Sequence, residues 1–376
     1  MIKVNKSALI ALKLLNEKGY DAFIVGGAVR DILLKQDVYD YDITTNADPN
    51  AIKLVFSDYA KYDVGRKHGT INVLIDKDRI DITPYRKEEK YLDHRHPDYV
   101  SFDASLKDDL SRRDFTINAM CIDSNLNVID YFNGIDDLNN KVIRCIGNPK
   151  KRFDEDALRI LRAIRFKAKL SFSIEEETAK QIHKCKDLLN YISPERKKDE
   201  LLKILAYKDG FKVINEYIDV FKTFMPFEIS KRKINNFSQP LYALSYLLID
   251  KKVNLKALKY SRYEIELINI FINAAKININ NDEEFIECLS SIYQKQILNF
   301  LNEYHRKDFT DRYNKNKKYM VTINELKIDG DEISSFGYKG KQLGIVKQRL
   351  LKLIHQKKII NTNRSLKAYL AKHQVV

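Results

Sequence analysis

Cysteine is scarce in this 376-residue chain, long apolar runs are absent, and the common glycine-rich phosphate motifs are missing. Each absence closes off a class of protein. No stretch approaches the ~18 consecutive apolar residues that a membrane-spanning helix needs. Met1-Ile2-Lys3-Val4 does not open a signal peptide, so a cytoplasmic protein with no membrane partner is expected. The four cysteines, Cys121, Cys145, Cys185 and Cys288, are scattered without C-x-x-C spacing and read as reduced structural thiols, not disulfides or a zinc site. Neither G-x-x-x-x-G-K-[ST] nor G-x-G-x-x-G occurs, which sets aside P-loop, kinase and dinucleotide readings. No internal repeat stands out.

What is present is basic charge on a globular composition. Hydrophobic residues make up 44% and charged residues 31%, enough for two or more domains with sizeable cores. The net charge of +14, with a pI near 9.2, favours a polyanionic partner, nucleic acid foremost.

The chain is organised around Phe23 to Thr45, FIVGGAVRDILLKQDVYDYDITT. Ala22 to Val25 is short and apolar enough for a buried strand; Gly26-Gly27 breaks it, and Ala28 to Lys35 has helical character. Glycines at a strand-to-helix turn let backbone N–H groups approach a phosphate, and Arg30 in the first helical turn lies within reach of the same anion. Asp40-Tyr41-Asp42-Ile43-Thr44 alternates acidic and apolar residues. On a strand this puts Asp40 and Asp42 on one face, roughly 7 Å apart. Two carboxylates beside such a turn suit magnesium and a nucleoside triphosphate, the pattern of nucleotidyl transfer. A lone glycine turn or a lone Asp-x-Asp is commonly only a turn or a solvated edge; the strand-turn-helix-strand order gives the combination its weight.

Along the chain, Ser7–Lys18 reads as a helix stopped by Gly19, and Asp48-Pro49 caps another ending near Phe56. Strands at Ile71–Ile75 and Arg79–Thr83 pair across Asp76-Lys77-Asp78, setting Asp81 mid-strand as a third carboxylate. Lys87–Tyr99 reads as a long polar loop. Arg112-Arg113 leads into the helix-compatible run Asp114–Met120 and suits a triphosphate or an RNA backbone, with an Asp114 ion pair as the plainer alternative. A last hairpin turns at Ser124-Asn125. Beyond Lys141 the periodicity is helical. Phe153–Leu170 reads as one helix with Ala157, Leu161, Ile164 and Ala168 as its apolar stripe and Asp156, Arg159, Arg162 and Arg165 opposite. Those four form either a solvated face or the wall of a nucleotide pocket. Ser193-Pro194 starts a further helix, and lysines and arginines recur from Lys315 to Lys358, suited to an RNA backbone.

GGAVRD with DYD, then RRDFTINAM, then RFDEDALRILRAIRF, resemble in order and spacing the class II tRNA nucleotidyltransferase and bacterial poly(A) polymerase superfamily, and within it the CCA-adding enzymes. The resemblance covers nearly the whole chain and is weakest after about Gly210. It implies an α+β fold: a mixed-sheet catalytic head over 1–140, a helical neck over 141–208 that recognises the base, a helical body over 209–302 and a tRNA-binding helical tail over 303–376. It implies that CTP and ATP are used to rebuild the 3′ CCA end of tRNA without a template, with Mg2+ as cofactor. Asp40 and Asp42 match its metal ligands, and Asp81 falls where the family more often has Glu. Gly26, Gly27, Arg30 and Arg113 match the phosphate-binding positions, Asp156 and Arg159 the pair that reads the base, and Arg162 and Arg165 the rest of that pocket. Glu155 falls where it would hold Arg159, and Ser193 to Arg196 match a neck motif packed behind. Tyr91 to Arg95, with Asp93 and Arg95 as supporting residues, match a flexible element used in switching from C to A addition. The rivals are an A-adding enzyme or poly(A) polymerase, and a catalytically inactive RNA-binding module. Monomer and homodimer both stay open.

Overall fold

The computed structural model describes residues 2–63, 69–91, 97–101, 103–225 and 237–373. The chain divides into two compact units, residues 1–226 and 227–376.

In the first unit α1 (Lys6–Glu17) leads into β1 (Ala22–Val25), α2 (Gly27–Leu33), β2 (Tyr41–Thr45), α3 (Pro49–Val55), β3 (Ala60–Asp63), β4 (Ile71–Ile75) and β5 (Asp78–Pro84). Then come β6 (Lys87–Tyr91), β7 (Pro97–Ser101), α4 (Leu106–Ser111), β8 (Met120–Ile122), β9 (Val128–Asp130) and α5 (Gly134–Asn139). Seven strands form one sheet in the order β3-β4-β5-β2-β1-β8-β9, with β2 and β5 parallel and every other pair antiparallel. Period-two alternation gives β2 two different faces. Tyr41 turns toward α1, where its hydroxyl accepts from the Asn5 amide, while Asp42 stands on the other side. Ile80 and Ile82 are wholly buried, leaving Asp81 between them to share the Asp42 side. The cap read at Asp48 forms, its side chain accepting from the amides of Asn50 and Ala51 ahead of Pro49, and Asn5, accepting from the Ala8 amide, caps α1.

Two stretches differ from their sequence reading. Within Lys87–Tyr99, which reads as a loop, the described residues are strand: β6 and β7 pair antiparallel, from Lys87 opposite Ser101 to Tyr91 opposite Pro97, and residues 92–96 lie outside the described residues. Backbone pairing needs no apolar face, so its polar residues carry no periodic signal. Residues 115–120 are not a helix either; a single 3₁₀ turn at Thr116–Asn118 passes directly into β8.

The unit continues with β10 (Val142–Ile143) and β11 (Ser173–Ile174), which pair in parallel, and the helices α6 (Pro149–Glu155), α7 (Leu158–Leu170), α8 (Glu176–Cys185), α9 (Pro194–Leu205), α10 (Gly210–Glu216) and α11 (Ile218–Phe221). The second unit is helical: α12 (Pro240–Leu248), α13 (Arg262–Ala274), α14 (Asp282–Leu289), α15 (Gln294–His305), α16 (Thr310–Asn316), α17 (Gly330–Ser334), α18 (Lys341–His355) and α19 (Asn363–Lys372). Aromatic rings fill one part, Phe271 stacked on Phe300 and Tyr242 edge-on to both, and Ile333, Leu350, Ile354 and Leu366 fill another. No helix among the described residues is long and apolar enough to cross a membrane.

Candidate active site

Gly26 joins β1 to α2 at φ 74°, in the left-handed region. A Cβ there would lie 3.1 Å from Arg113 Nη1 and 3.7 Å from Asp42 Oδ2, so the missing side chain leaves room for a guanidinium and a carboxylate at one turn. Gly26→Ala is expected to cost about 1–2 kcal/mol from backbone strain alone. It is also expected to displace Arg113; calorimetry with a nucleoside triphosphate, the ligand such a turn suits, should show affinity falling by about tenfold, about the worth of one charge-assisted contact. An unchanged affinity would show that the turn does not hold Arg113.

Asp42 lies opposite Val25 on β1 and in parallel register with Asp81 on β5. Asp40 is one residue ahead of β2, not within it. Asp81 accepts from Asn72 Nδ2 and, at 3.3 Å, from Arg79 Nε. Asp42 keeps exposed surface, yet the protein crowded around it strips enough water to push its carboxyl above the usual range. Arg113 pulls the other way, and Asp81 and Asp40 add to the rise. Burial is thus the main cause of the rise at Asp42, with Arg113 the strongest charge acting on it and Asp81 and Asp40 adding smaller repulsions. Among the described residues no set of three or more His, Cys, Asp or Glu is arranged to enclose a metal ion by itself.

Arg113 does not pair with Asp114. Its Nη2 donates to Asp109 Oδ2 at 3.4 Å, and Arg112 donates to Asp109 Oδ1 through Nε at 3.0 Å and Nη2 at 2.7 Å. Asp114 is instead bound by Arg162, 48 residues away, with Nε at 2.7 Å. Its other oxygen accepts from Asn118 Nδ2 at 3.0 Å and the Phe115 amide at 2.9 Å. Burial would push the Asp114 carboxyl up, but Arg162 and Asn118 bring it down to about 2. Asn118 also accepts from Arg30 Nη1 at 2.7 Å, while Arg30 Nε and Nη2 both donate to Asp31 at 2.8 Å. Arg30 is buried and its three side-chain nitrogens are engaged by Asp31 and Asn118; its Nη2 lies 3.5 Å from where a Cβ on Gly27 would stand, so the guanidinium sits against the glycine turn. The guanidinium carbons of Arg30, Arg162 and Arg165 lie 5.2, 5.6 and 4.4 Å from the centre of the Phe166 ring.

The stretch expected as one helix from Phe153 to Leu170 is broken. α6 ends at Glu155, Asp156 is extended (φ −141°, ψ 101°), and α7 starts at Leu158. The Asp156 side chain accounts for the break: its Oδ1 accepts from the Leu158 amide at 3.1 Å, as a helix cap does. Nor is the arginine row a solvated face. Arg159 is 6% exposed, with Nη1 donating to Glu155 Oε2 (2.9 Å) and the Arg152 carbonyl (3.0 Å) and Nη2 to the Arg112 carbonyl (3.0 Å). Arg165 Nε donates to Glu200 Oε2 of α9 at 2.7 Å. Ser193 and Pro194 do open α9, although the Ser193 side chain makes no cap bond; Arg196 of α9 approaches Asp156 Oδ2 at 3.5 Å, and its Nη1 is buried without a partner. The structure therefore brings together Gly26, Asp42, Asp81 and Arg113 at one turn, and Asp156, Arg159 and Glu155 at the α6–α7 break. Asp93 and Arg95, and Val64 to His68, lie outside the described residues.

Sequence reasoning passed over Asp109 and Asn118. Asn118 was detectable as a polar residue between Ile117 and Ala119, whereas Asp109, beside Asp108 in a polar stretch, carries no such signal.

A profile of the Poly A polymerase head domain matches residues 22–144, and one described as a probable RNA and SrmB-binding site of polymerase A matches residues 171–220. The CCA-adding enzyme of Ligilactobacillus salivarius (strain UCC118) is 34% identical over 96% of this chain and 95% of its own length. The chain belongs to the CCA-adding enzyme family. Another CCA-adding enzyme, from Lactobacillus helveticus (strain DPC 4571), is 45% identical over 54% of this chain. The match spans about half of that relative's length (52%), as it does for several of the similar enzymes. The crystal structure of the Bacillus stearothermophilus CCA-adding enzyme in complex with CTP superposes with a TM-score of 0.79, covering 98% of this chain and 96% of that one. At 24% identity that likeness speaks for the shared α+β fold alone.

Proposed function

We propose that this chain rebuilds the 3′ end of tRNA, adding C, C and A in turn from CTP and ATP without a nucleic-acid template and releasing pyrophosphate. Besides family membership, one observation carries the reading. Asp42 and Asp81 lie side by side in register, at a glycine turn against which an arginine is held. Enzymes of this family generally work with divalent metal ions. The residues fit Mg2+, which is commonly held by one or two carboxylates together with substrate phosphates, not by an all-protein cage. Asp40 and Asp42 would hold it, with Asp81 alongside, and the charged form of Asp42, disfavoured by burial and by its two acidic neighbours, is what a divalent cation would favour. Bound there, such ions lower the pKa of the primer 3′-hydroxyl and shield charge on the departing pyrophosphate.

The protein's own share is positioning. Arg113, across Gly26, and Gly27 receive the triphosphate, and Arg30 secures the helix behind them through Asp31 and Asn118. Asp156 and Arg159 offer an acceptor and a donor at the helix break to read the base. Glu155 holds Arg159, and Arg162 and Arg165 tie the base-reading helix to Asp114 and Glu200. Asp93 and Arg95 serve the change from C to A addition. In this reading the head (1–140) carries the chemistry and the neck (141–208) measures the base. The body (209–302) leads to the tail (303–376), whose lysines and arginines face tRNA phosphates.

Arg159→Ala is expected to impair nucleotide choice by about tenfold, the worth of about one hydrogen bond, with tRNA affinity nearly unchanged. Competition between CTP and ATP on a primer ending in C measures it; unaltered discrimination would remove Arg159 from the base-reading role. The function itself is tested by incubating the full chain with Mg2+, CTP, ATP and tRNA ending at the discriminator base, then sequencing the 3′ ends. CCA addition supports the proposal. A alone or long A tails favour an A-adding enzyme or poly(A) polymerase, and no addition favours an RNA-binding module.

A further inference from the structure

Asp109 of α4 is wholly buried, at 0% exposure. A carboxylate is seldom enclosed so fully unless its oxygens are taken up by partners. Here they are taken up by residues from separate parts of the head. Oδ1 accepts from Arg112 and, at 3.4 Å, from the Arg86 amide just before β6. Oδ2 accepts from Arg113 Nη2 and, at 3.3 Å, from Thr44 Oγ1 on β2. Thr44 is two residues past Asp42, so both side chains leave the same face of the strand. One buried group thus touches the strand that carries Asp42 and the arginine that lies against Gly26.

We propose that Asp109 is a positioning residue for the incoming nucleoside triphosphate. It divides the labour of two adjacent arginines: Arg112 neutralises one carboxylate oxygen, and the other oxygen fixes one arm of Arg113. The second arm, Nη1, is thereby presented across Gly26, 3.1 Å from the position a Cβ would occupy there. Arg113 Nε is buried without a hydrogen-bond partner among the described residues, so that edge of the guanidinium is not held. Without the Asp109 charge, Arg113 turns onto Asp42, which it already attracts, and the two groups meant for the triphosphate and its cation neutralise each other. This inference rests on the nucleotidyltransferase reading above.

The test is Asp109→Asn in the full chain, which preserves shape and an acceptor but removes the charge. Calorimetric CTP affinity without RNA is expected to fall by about tenfold, in the range lost when a partner behind a ligand-binding group is removed. KM for CTP rises more than kcat falls, and tRNA affinity stays within about twofold, less than one ordinary hydrogen bond. A CTP affinity within about twofold of wild type, or equal weakening of CTP and tRNA binding as from a merely structural loss, overturns the proposal. Should that variant fail to fold, Thr44→Val, which matches the volume and cuts only the tie to β2, is expected to weaken CTP binding about threefold, and unchanged binding overturns it. Wild type run in parallel separates the two claims. If wild type adds no nucleotide, the function falls; if it adds CCA while Asp109→Asn binds CTP normally, only this inference falls.

Discussion

Asp42→Ala is expected to abolish the proposed nucleotide addition, by about a thousandfold or more, while tRNA binding changes little. The size follows from what the carboxylate is proposed to hold, because losing the divalent ions forfeits both activation of the hydroxyl and shielding of the pyrophosphate, each worth several kcal/mol. RNA affinity comes from phosphate contacts elsewhere, so it should survive. Asp40→Ala should behave alike, although Asp40 lies just ahead of β2 and is freer to be replaced by water. Single-turnover addition and filter binding, run on the same preparation, check the two halves. Residual turnover above about one per cent of wild type in Asp42→Ala would falsify the placement of the metal, because a lost metal ligand leaves less than that. A second consequence concerns stability. Asp42 carries a carboxyl that crowding pushes above its usual range, so its charged form works against folding at neutral pH. An inactive Asp42 variant therefore need not be an unfolded one.

Asp114→Ala is the substitution expected to cost the fold most, about 3 kcal/mol at neutral pH. It leaves the Arg162 guanidinium without its carboxylate, and the figure sits at the low end for a buried pair because Arg162 keeps some contact with solvent. The same pair sets an acid limit. The folded carboxyl titrates at about 2, below the ordinary 3.8. A depressed carboxylate pKa contributes stability that is complete above the unfolded value and vanishes as pH falls through the folded one. Denaturant melts should therefore show about 2 kcal/mol disappearing between roughly pH 4 and pH 2 in wild type but not in Asp114→Asn. If both proteins lose stability equally over that interval, the Asp114–Arg162 pair is not what holds the neck helix to the head.

These two carboxylates also separate what could be read from the chain from what could not. Asp42 was legible: a strand, a glycine break, a helix and an acidic alternation follow one another within a short stretch, and their chemistry depends only on backbone periodicity. Asp114 was not. Adjacency suggests Arg113 as its partner, whereas the sheet and the neck helices deliver Arg162 to it and leave Arg113 to Asp109. The helix break at Asp156 lay in the same blind spot. Phe153 to Leu170 has good helical spacing throughout, and its interruption is visible only once the Asp156 side chain is seen to hold the Leu158 amide.

By itself the sequence determined the caps, the glycine turn, the acidic strand and the order of head and helices, because each is settled by residues within a turn or two of one another. The tertiary structure alone decided which carboxylate meets which arginine, that Arg30 and Arg159 are enclosed and engaged, and that Asp109 ties β2 to Arg113. Those outcomes depend on elements distant in sequence being folded together, where burial makes every unpaired charge costly and so selects its partner.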